Sequence, residues 1–419
     1  MLDRKTPPAF KKSSAFTLIQ PEKETLSNGI TISYVNGGSQ EVTKIEFIFN
    51  AGKWYESLSG VSYFTAHLLQ KGIPTKDSFQ ISGELDQYGV HLEVSPGYDF
   101  TSLSLYGLTK NISRLLKLSR EIITQPIFPD VELQQAKDIY IQGLKINLEK
   151  TSYLASRLLR QNLFGKEHPY GRDADVLDIE SIKRIDLVNF HHDYFKNLEV
   201  ICSGKITDEV KKELQSILTD FRVSAGNKKI APKLNPGPPV EFVKKDNTVQ
   251  SSIRFGKRSI PRTHSDYPAL LMLNHILGGF FGSRLMKNIR EEKGLTYGIY
   301  SSLVTLKHDG YLSIGADVNN ENRGIVIEEI KNELKNLEAQ PIDSNELKTA
   351  RNHFIGSLQA EITTPFAHAD KIKNIILYKL PENFYQSLIT KIESLNSRDL
   401  LDTAHKYFDG TEFHVVSAG

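Results

Sequence analysis

One stretch of this chain has the frame of a metal site. Gly60-Val61-Ser62-Tyr63-Phe64-Thr65-Ala66-His67-Leu68-Leu69-Gln70-Lys71-Gly72 follows the apolar run Ile45 to Phe49 and sits between two glycines. It reads as a short helix after a buried strand. On a helix, positions 63 and 67 point the same way, one turn apart. Two histidines there could grip a zinc ion, and a glutamate at position 66 could take the proton from zinc-bound water. That order, His-x-x-Glu-His, is the inverted zinc-peptidase motif. Here Tyr63 stands at the first histidine position and Ala66 at the base, so only His67 remains. A lone imidazole does not retain zinc, because protein zinc sites use three or four ligands. The plainer reading of His67 is a helix histidine with a local hydrogen-bond partner.

The other histidines offer no better set. His191 and His192 are adjacent, so on a helix they diverge; with Asp193 they read as a solvated face. His168 precedes a proline in a turn, and His264, His275 and His308 show no ligand spacing. The glycines at 278, 279 and 282 lack the Lys-Ser/Thr of a phosphate loop and read as a helix-flanking turn. The single cysteine, Cys202, lies in an apolar run and reads as a core thiol.

The elements that would position these residues come twice. Ile179-Glu180-Ser181-Ile182 and Asp186-Leu187 reappear 213 residues later as Ile392-Glu393-Ser394-Leu395 and Asp399-Leu400. Tyr194-Phe195 returns as Tyr407-Phe408 at the same offset. Upstream, Glu132-Leu133, Ala136, Lys137, Ile141 and Leu144 return as Glu346-Leu347, Ala350, Arg351, Ile355 and Leu358, offset by 214. A repeat this long is a duplicated domain rather than a solenoid unit. Within the first copy, Ile30–Tyr34, Lys44–Phe49, Leu92–Pro96 and Tyr98–Leu108 read as strands. Asp77–Tyr88, Ile112–Thr124 and the long stretch Val131–Phe164 read as helices.

The expected class is α+β: two tandem homologous domains, each a mostly antiparallel sheet with paired helices. The expected division is a surface arm over 1–24, a first domain over 25–223, a linker over 224–240 rich in Pro, Gly and Lys, and a second domain over 241–419. Two such halves suggest a hinged pair with a space between them.

Composition narrows the partners. Fifty-two Lys and Arg against 50 Asp and Glu leave a net charge of +2, which gives no reason to expect nucleic acid or an anionic membrane. No apolar run approaches the length of a bilayer span, and the first residues lack a signal-peptide core. The expected address is cytoplasmic.

The repeat and the 60–72 frame together resemble the pitrilysin, or insulinase-type, family of zinc peptidases. Further likeness lies in Asn50-Ala51-Gly52, in Tyr88-Gly89 with Gly97-Tyr98-Asp99-Phe100-Thr101-Ser102, and in His168-Pro169-Tyr170-Gly171. The most specific block is Leu277-Gly278-Gly279, Ser283-Arg284-Leu285 and Asn288 through Tyr297. The resemblance spans about residues 25–419 and implies half of a clamshell. It also implies a third zinc ligand, a glutamate, falling here at Gln142-Gly143, with Gly143 the matching position. Glu93 stands where, by the resemblance, many active members carry an asparagine. The chain thus resembles a degenerate member that binds no metal itself, with Tyr63, Ala66, His67 and Gly143 as its emptied positions.

The resemblance also implies working parts. The family's second half supplies an arginine and a tyrosine at the spacing of Arg290 and Tyr297, facing the zinc across a chamber. By pattern alone, Arg290 is a last-turn helix residue and Tyr297 an ordinary strand tyrosine, across a left-handed cap at Gly294. By resemblance they bind a substrate carbonyl and a developing oxyanion. The expected partner is a homologous zinc-bearing chain of similar length, with a second copy of this chain as the alternative, and the expected substrate is a peptide. A competing expectation is a peptide-binding or assembly protein that takes no part in hydrolysis. An active enzyme with unconventional ligands is a third.

Overall fold

The computed structural model describes residues 16–221, 223, 232–409 and 413–419. The first half runs β1 (Glu22–Thr25), β2 (Thr31–Asn36), β3 (Val42–Phe49), α1 (Val61–Leu68), the two-residue strands β4 (Gly72–Ile73) and β5 (Lys76–Asp77), then α2 (Ser78–Gln87), β6 (His91–Pro96) and β7 (Thr101–Leu108). Helices α3 (Thr109–Thr124), α4 (Asp130–Glu149), α5 (Thr151–Phe164), α6 (Val176–Ser181) and α7 (Arg184–Tyr194) lead to β8 (Leu198–Gly204) and α8 (Asp208–Thr219). The second half runs β9 (Val240–Val243), β10 (Gln250–Ser259), α9 (Tyr267–Gly278), β11 (Thr296–Thr305), β12 (Gly310–Asn319), α10 (Arg323–Ala339), α11 (Ser344–Ala360), α12 (Pro365–Leu377), α13 (Phe384–Ser394), α14 (Ser397–Tyr407) and β13 (His414–Ala418).

The duplication is complete at the level of sheet topology. The first sheet is ordered β1-β2-β8-β3-β7-β6 and the second β11-β12-β10-β13-β9. Within these two sheets each strand but β1 has a counterpart in the same place; the small β4–β5 pair has none among the described residues. Only β2 with β8 and β9 with β13 run parallel; the other neighbours are antiparallel. The repeated sequence blocks fall on α4 and α11 and on the pairs α6–α7 and α13–α14. Both copies of the repeated aspartate, Asp186 and Asp399, close the start of their helix by accepting from a backbone N–H three residues back.

The halves are interlocked rather than hinged. Helix α5 leaves the first half and packs on β10 and β13 of the second sheet, and α12 packs on β8 and β2 of the first. Each sheet is therefore covered on one face by its own helices and on the other by a helix of its twin. This explains why both faces of β3 are buried: Ile45, Phe47 and Phe49 belong to the first core, while on the other face Ile48 belongs to the second and Glu46 meets Lys373 of α12. It also explains a break the periodicity does not predict. The stretch 131–164 is two helices, separated at Lys150, whose ψ of 122° is extended. The break lets α4 serve its own half while Leu159 and Leu163 of α5 reach the core that holds Val416 and Ala418.

Polar contacts lock the junction. Buried Asp99 accepts from the Tyr170 hydroxyl at 2.6 Å and from the Lys307 N–H at 3.0 Å, and Lys307 Nζ donates to Asn50 Oδ1 at 2.6 Å. Trp54 stacks on His308 at 4.2 Å, and Lys373 of α12 pairs with buried Glu46 at 2.9 Å. The arm is likewise packed. Phe16 and Leu18 are buried in the second core, and β1 joins the first sheet, so the described end of residues 1–24 does not lie on the surface as a free arm. Residues 1–15, 222 and 410–412 and linker residues 224–231 lie outside the described residues. Among the described residues no helix is long and apolar enough to cross a membrane.

Candidate functional site

Helix α1 is fixed at its start by a glycine and a buried acid. Gly60 has φ of 93°, and a Cβ there would stand 2.8 Å from Ile179. The Glu56 carboxylate accepts from the Ser62 N–H at 3.0 Å and from the Ser62 hydroxyl at 2.5 Å, satisfying a donor that the helix leaves free. Burial raises the Glu56 pKa, opposed by Ser62, Lys53 and Arg172.

The frame expected over 60–72 is filled by rings. His67 stacks on Tyr63 with centroids 4.0 Å apart, and Tyr63 meets Tyr140 of α4 edge-on at 4.9 Å. His67 Nδ1 lies 3.1 Å from the Tyr63 carbonyl oxygen, so as an N–H it donates one turn back along its own helix. Burial lowers the His67 pKa, raises that of Tyr63 and pushes Tyr140 up to about 12. Ala66 is fully buried, so a base there would have to be desolvated. Gly143 lies one turn beyond Tyr140, and a Cβ at that position meets nothing within 4 Å. Glu93 is exposed on edge strand β6 and accepts from Ser95 at 2.9 Å. Among the described residues no three His, Cys, Asp or Glu side chains gather as a metal site.

Arg290 and Tyr297 are brought together. The segment Met286–Glu292 is a π-helix rather than the α-helix its pattern predicts. Its wide turn bonds Lys293 N–H to the Asn288 carbonyl and Leu295 N–H to the Ile289 carbonyl, and Gly294 then turns with φ of 64°. Arg290 Nε donates to the Tyr297 carbonyl at 2.9 Å, and its guanidinium lies over the Phe281 ring at 4.6 Å. The Tyr297 side chain is 93% exposed at the start of edge strand β11, beside a bulge between Thr296 and Ile299. Phe281 and Tyr300 are also exposed. Sequence reading misses Phe281, since an aromatic in a glycine-rich turn reads as packing.

Residues 32–168 match the family profile described as Insulinase (Peptidase family M16), and residues 181–354 match the one described as Peptidase M16 inactive domain. The chain belongs to peptidase family M16. M16 relatives include the Uncharacterized zinc protease YmxG of Bacillus subtilis (strain 168), 24% identical over 349 residues, covering 81% of this chain and 84% of that protein. The Non-peptidase homolog YmxG of Helicobacter pylori is 24% identical over 371 residues, covering 85% and 84%. Among solved structures, the peptidase M16 inactive domain from Pseudomonas fluorescens superposes with a TM-score of 0.85 at 23% identity, covering 95% of this chain and 98% of that one. A protease from Helicobacter pylori superposes with a TM-score of 0.87 at 18% identity, covering 96% and 100%. The inactive-domain match and the non-peptidase relative both support a non-catalytic M16 member, in line with the loss of the inverted motif here.

The remaining polar candidates are structural. His191 is tucked between Phe128 and Phe195 with Nε2 2.7 Å from the Ile123 carbonyl, so it is not on the solvated face expected for it; His192 is, beside Asp193. Buried His168 accepts from the Tyr170 N–H at 3.1 Å. Burial pushes the Cys202 thiol up, out of the reactive range.

Proposed function

We propose that this chain is the zinc-less subunit of a two-chain M16 endopeptidase acting on peptides, and that it supplies Arg290 and Tyr297 to the partner's active site. The observation that carries the reading is the contrast between two sites in one chain. The zinc frame is closed by stacked rings, while the Tyr297 phenol projects into solvent from a backbone held by Arg290. With Nε engaged, the two terminal nitrogens of Arg290 remain to hold a substrate carbonyl. The phenol donates a hydrogen bond to the oxyanion that develops as the peptide bond is attacked. The zinc belongs to the partner chain, where it activates water and polarises the scissile carbonyl. The partner is a homologous chain of similar length bearing His-x-x-Glu-His, and the pair works in the cytoplasm.

Because the two halves of this chain are interlocked, the chamber lies between chains, and its entrance selects peptides and unfolded segments. Mixing this chain with a zinc-bearing M16 chain from the same cell tests the reading. Peptide cleavage appears only in the mixture if it is right. Cleavage by the partner alone, undiminished and unassisted, assigns this chain to peptide binding or assembly instead.

A further inference from the structure

The duplication places a second histidine arrangement where the first half has its emptied zinc site. His67-Leu68-Leu69 of α1 corresponds to His275-Ile276-Leu277 of α9, and α4 corresponds to α11. At the 214-residue offset, Ser357 stands at the place of Gly143, and His353 stands one turn before it. In the second half the helix histidine therefore has a companion. His275 Nε2 and His353 Nδ1 are 3.1 Å apart. Phe280 stacks on His275 and lies tilted against His353, each at 4.7 Å, and Phe354 meets His275 edge-on at 5.3 Å. The Ser357 hydroxyl is 3.5 Å from the same His353 nitrogen. His275 is only 8% exposed, so its ring is held, whereas His353 is open to solvent.

We propose that His275 and His353 form a two-imidazole site for a late first-row divalent ion, Ni²⁺ or Cu²⁺. Two nitrogens at this spacing can both bond one ion at about 2.0–2.1 Å and subtend roughly a right angle at it. That angle suits the tetragonal preference of these ions, and imidazole is a donor they favour. The ion takes the place of the proton between the rings, and that proton moves to the other nitrogen of its own ring, so both imidazoles bind as neutral donors. Among the described residues no third His, Cys, Asp or Glu joins the pair, and water completes the shell. The site is separate from the peptidase zinc position and does not depend on the proposed subunit role.

The test titrates chelator-treated chain with Ni²⁺ by calorimetry and with Cu²⁺ by its visible ligand-field band. Wild type binds one equivalent saturably. His353→Ala, an exposed change that leaves the melting temperature in place, weakens that binding by about tenfold or more. His192→Ala, at an exposed histidine elsewhere, leaves it unchanged. Equal binding by wild type and His353→Ala, or no saturable binding by wild type, overturns the proposal.

Discussion

At the residue scale, what distinguishes this chain is how the metal position is filled. By the family resemblance, Tyr63, Ala66 and Gly143 read as the positions of lost groups. The consequence is only half legible in the sequence: the stack of Tyr63 on His67 is local to α1, but its contact with Tyr140 depends on α4 meeting α1. The space beside Gly143 is open, so two changes should rebuild a three-ligand set with the native His67. Tyr63→His with Gly143→Glu is expected to hold one zinc per chain after desalting, measured by elemental mass spectrometry, without peptidase activity because Ala66 supplies no base. A zinc-free double variant would mean that α1 and α4 no longer share the ligand geometry. The His275–His353 contact joins residues 78 positions apart and leaves no spacing signal. Burial, with His353 beside it, pushes the His275 pKa down to about 4. The folded state thus resists a proton that the unfolded chain accepts. Stability from this group is full above the ordinary histidine value near 6.5 and is lost as pH falls toward 4. At most about 3 kcal/mol is involved. In chelator, His275→Gln should flatten the denaturation midpoint against pH within that window; an unchanged slope would contradict it.

At the element scale, the strands and most helices follow from the sequence, because period-2 and 3.6-residue patterns report which face is buried. The exchange of α5 and α12 between halves is legible only afterwards. A helix's apolar stripe says that it packs, and is silent on which sheet it packs against. Gly256 on β10 marks the exchange: a Cβ there would meet Leu159 of α5 at 2.8–3.1 Å. Gly256→Val should therefore cost about 1–3 kcal/mol through overpacking, read as a shift in the urea midpoint. A neutral result would mean that α5 does not sit that close. The π-turn at Met286–Glu292 escapes prediction for a related reason. Its helix-like pattern is genuine, but one added residue per turn is invisible to periodicity over seven residues.

At the scale of the whole molecule, the duplication predicts two similar halves, and a pair of hinged lobes is the natural expectation from sequence. The structure replaces the hinge with an interlock of exchanged helices, the Asp99–Tyr170–Lys307 cluster and the Glu46–Lys373 pair. A protease site engineered within residues 224–231 should give two fragments that co-elute as one species in native buffer. Fragments that separate without denaturant would restore the hinge. With the halves joined in this way, the proposed chamber lies between this chain and a second one. The most direct measurement is the peptide turnover of this chain mixed with the zinc-bearing M16 chain proposed as its partner, comparing wild type with Tyr297→Phe and Arg290→Ala at matched complex concentration. The account predicts that Tyr297→Phe lowers kcat by a factor on the order of 10²–10³, as for loss of an oxyanion donor, that Arg290→Ala lowers kcat/KM, and that neither dissociates the pair. Unchanged turnover in both variants would contradict it.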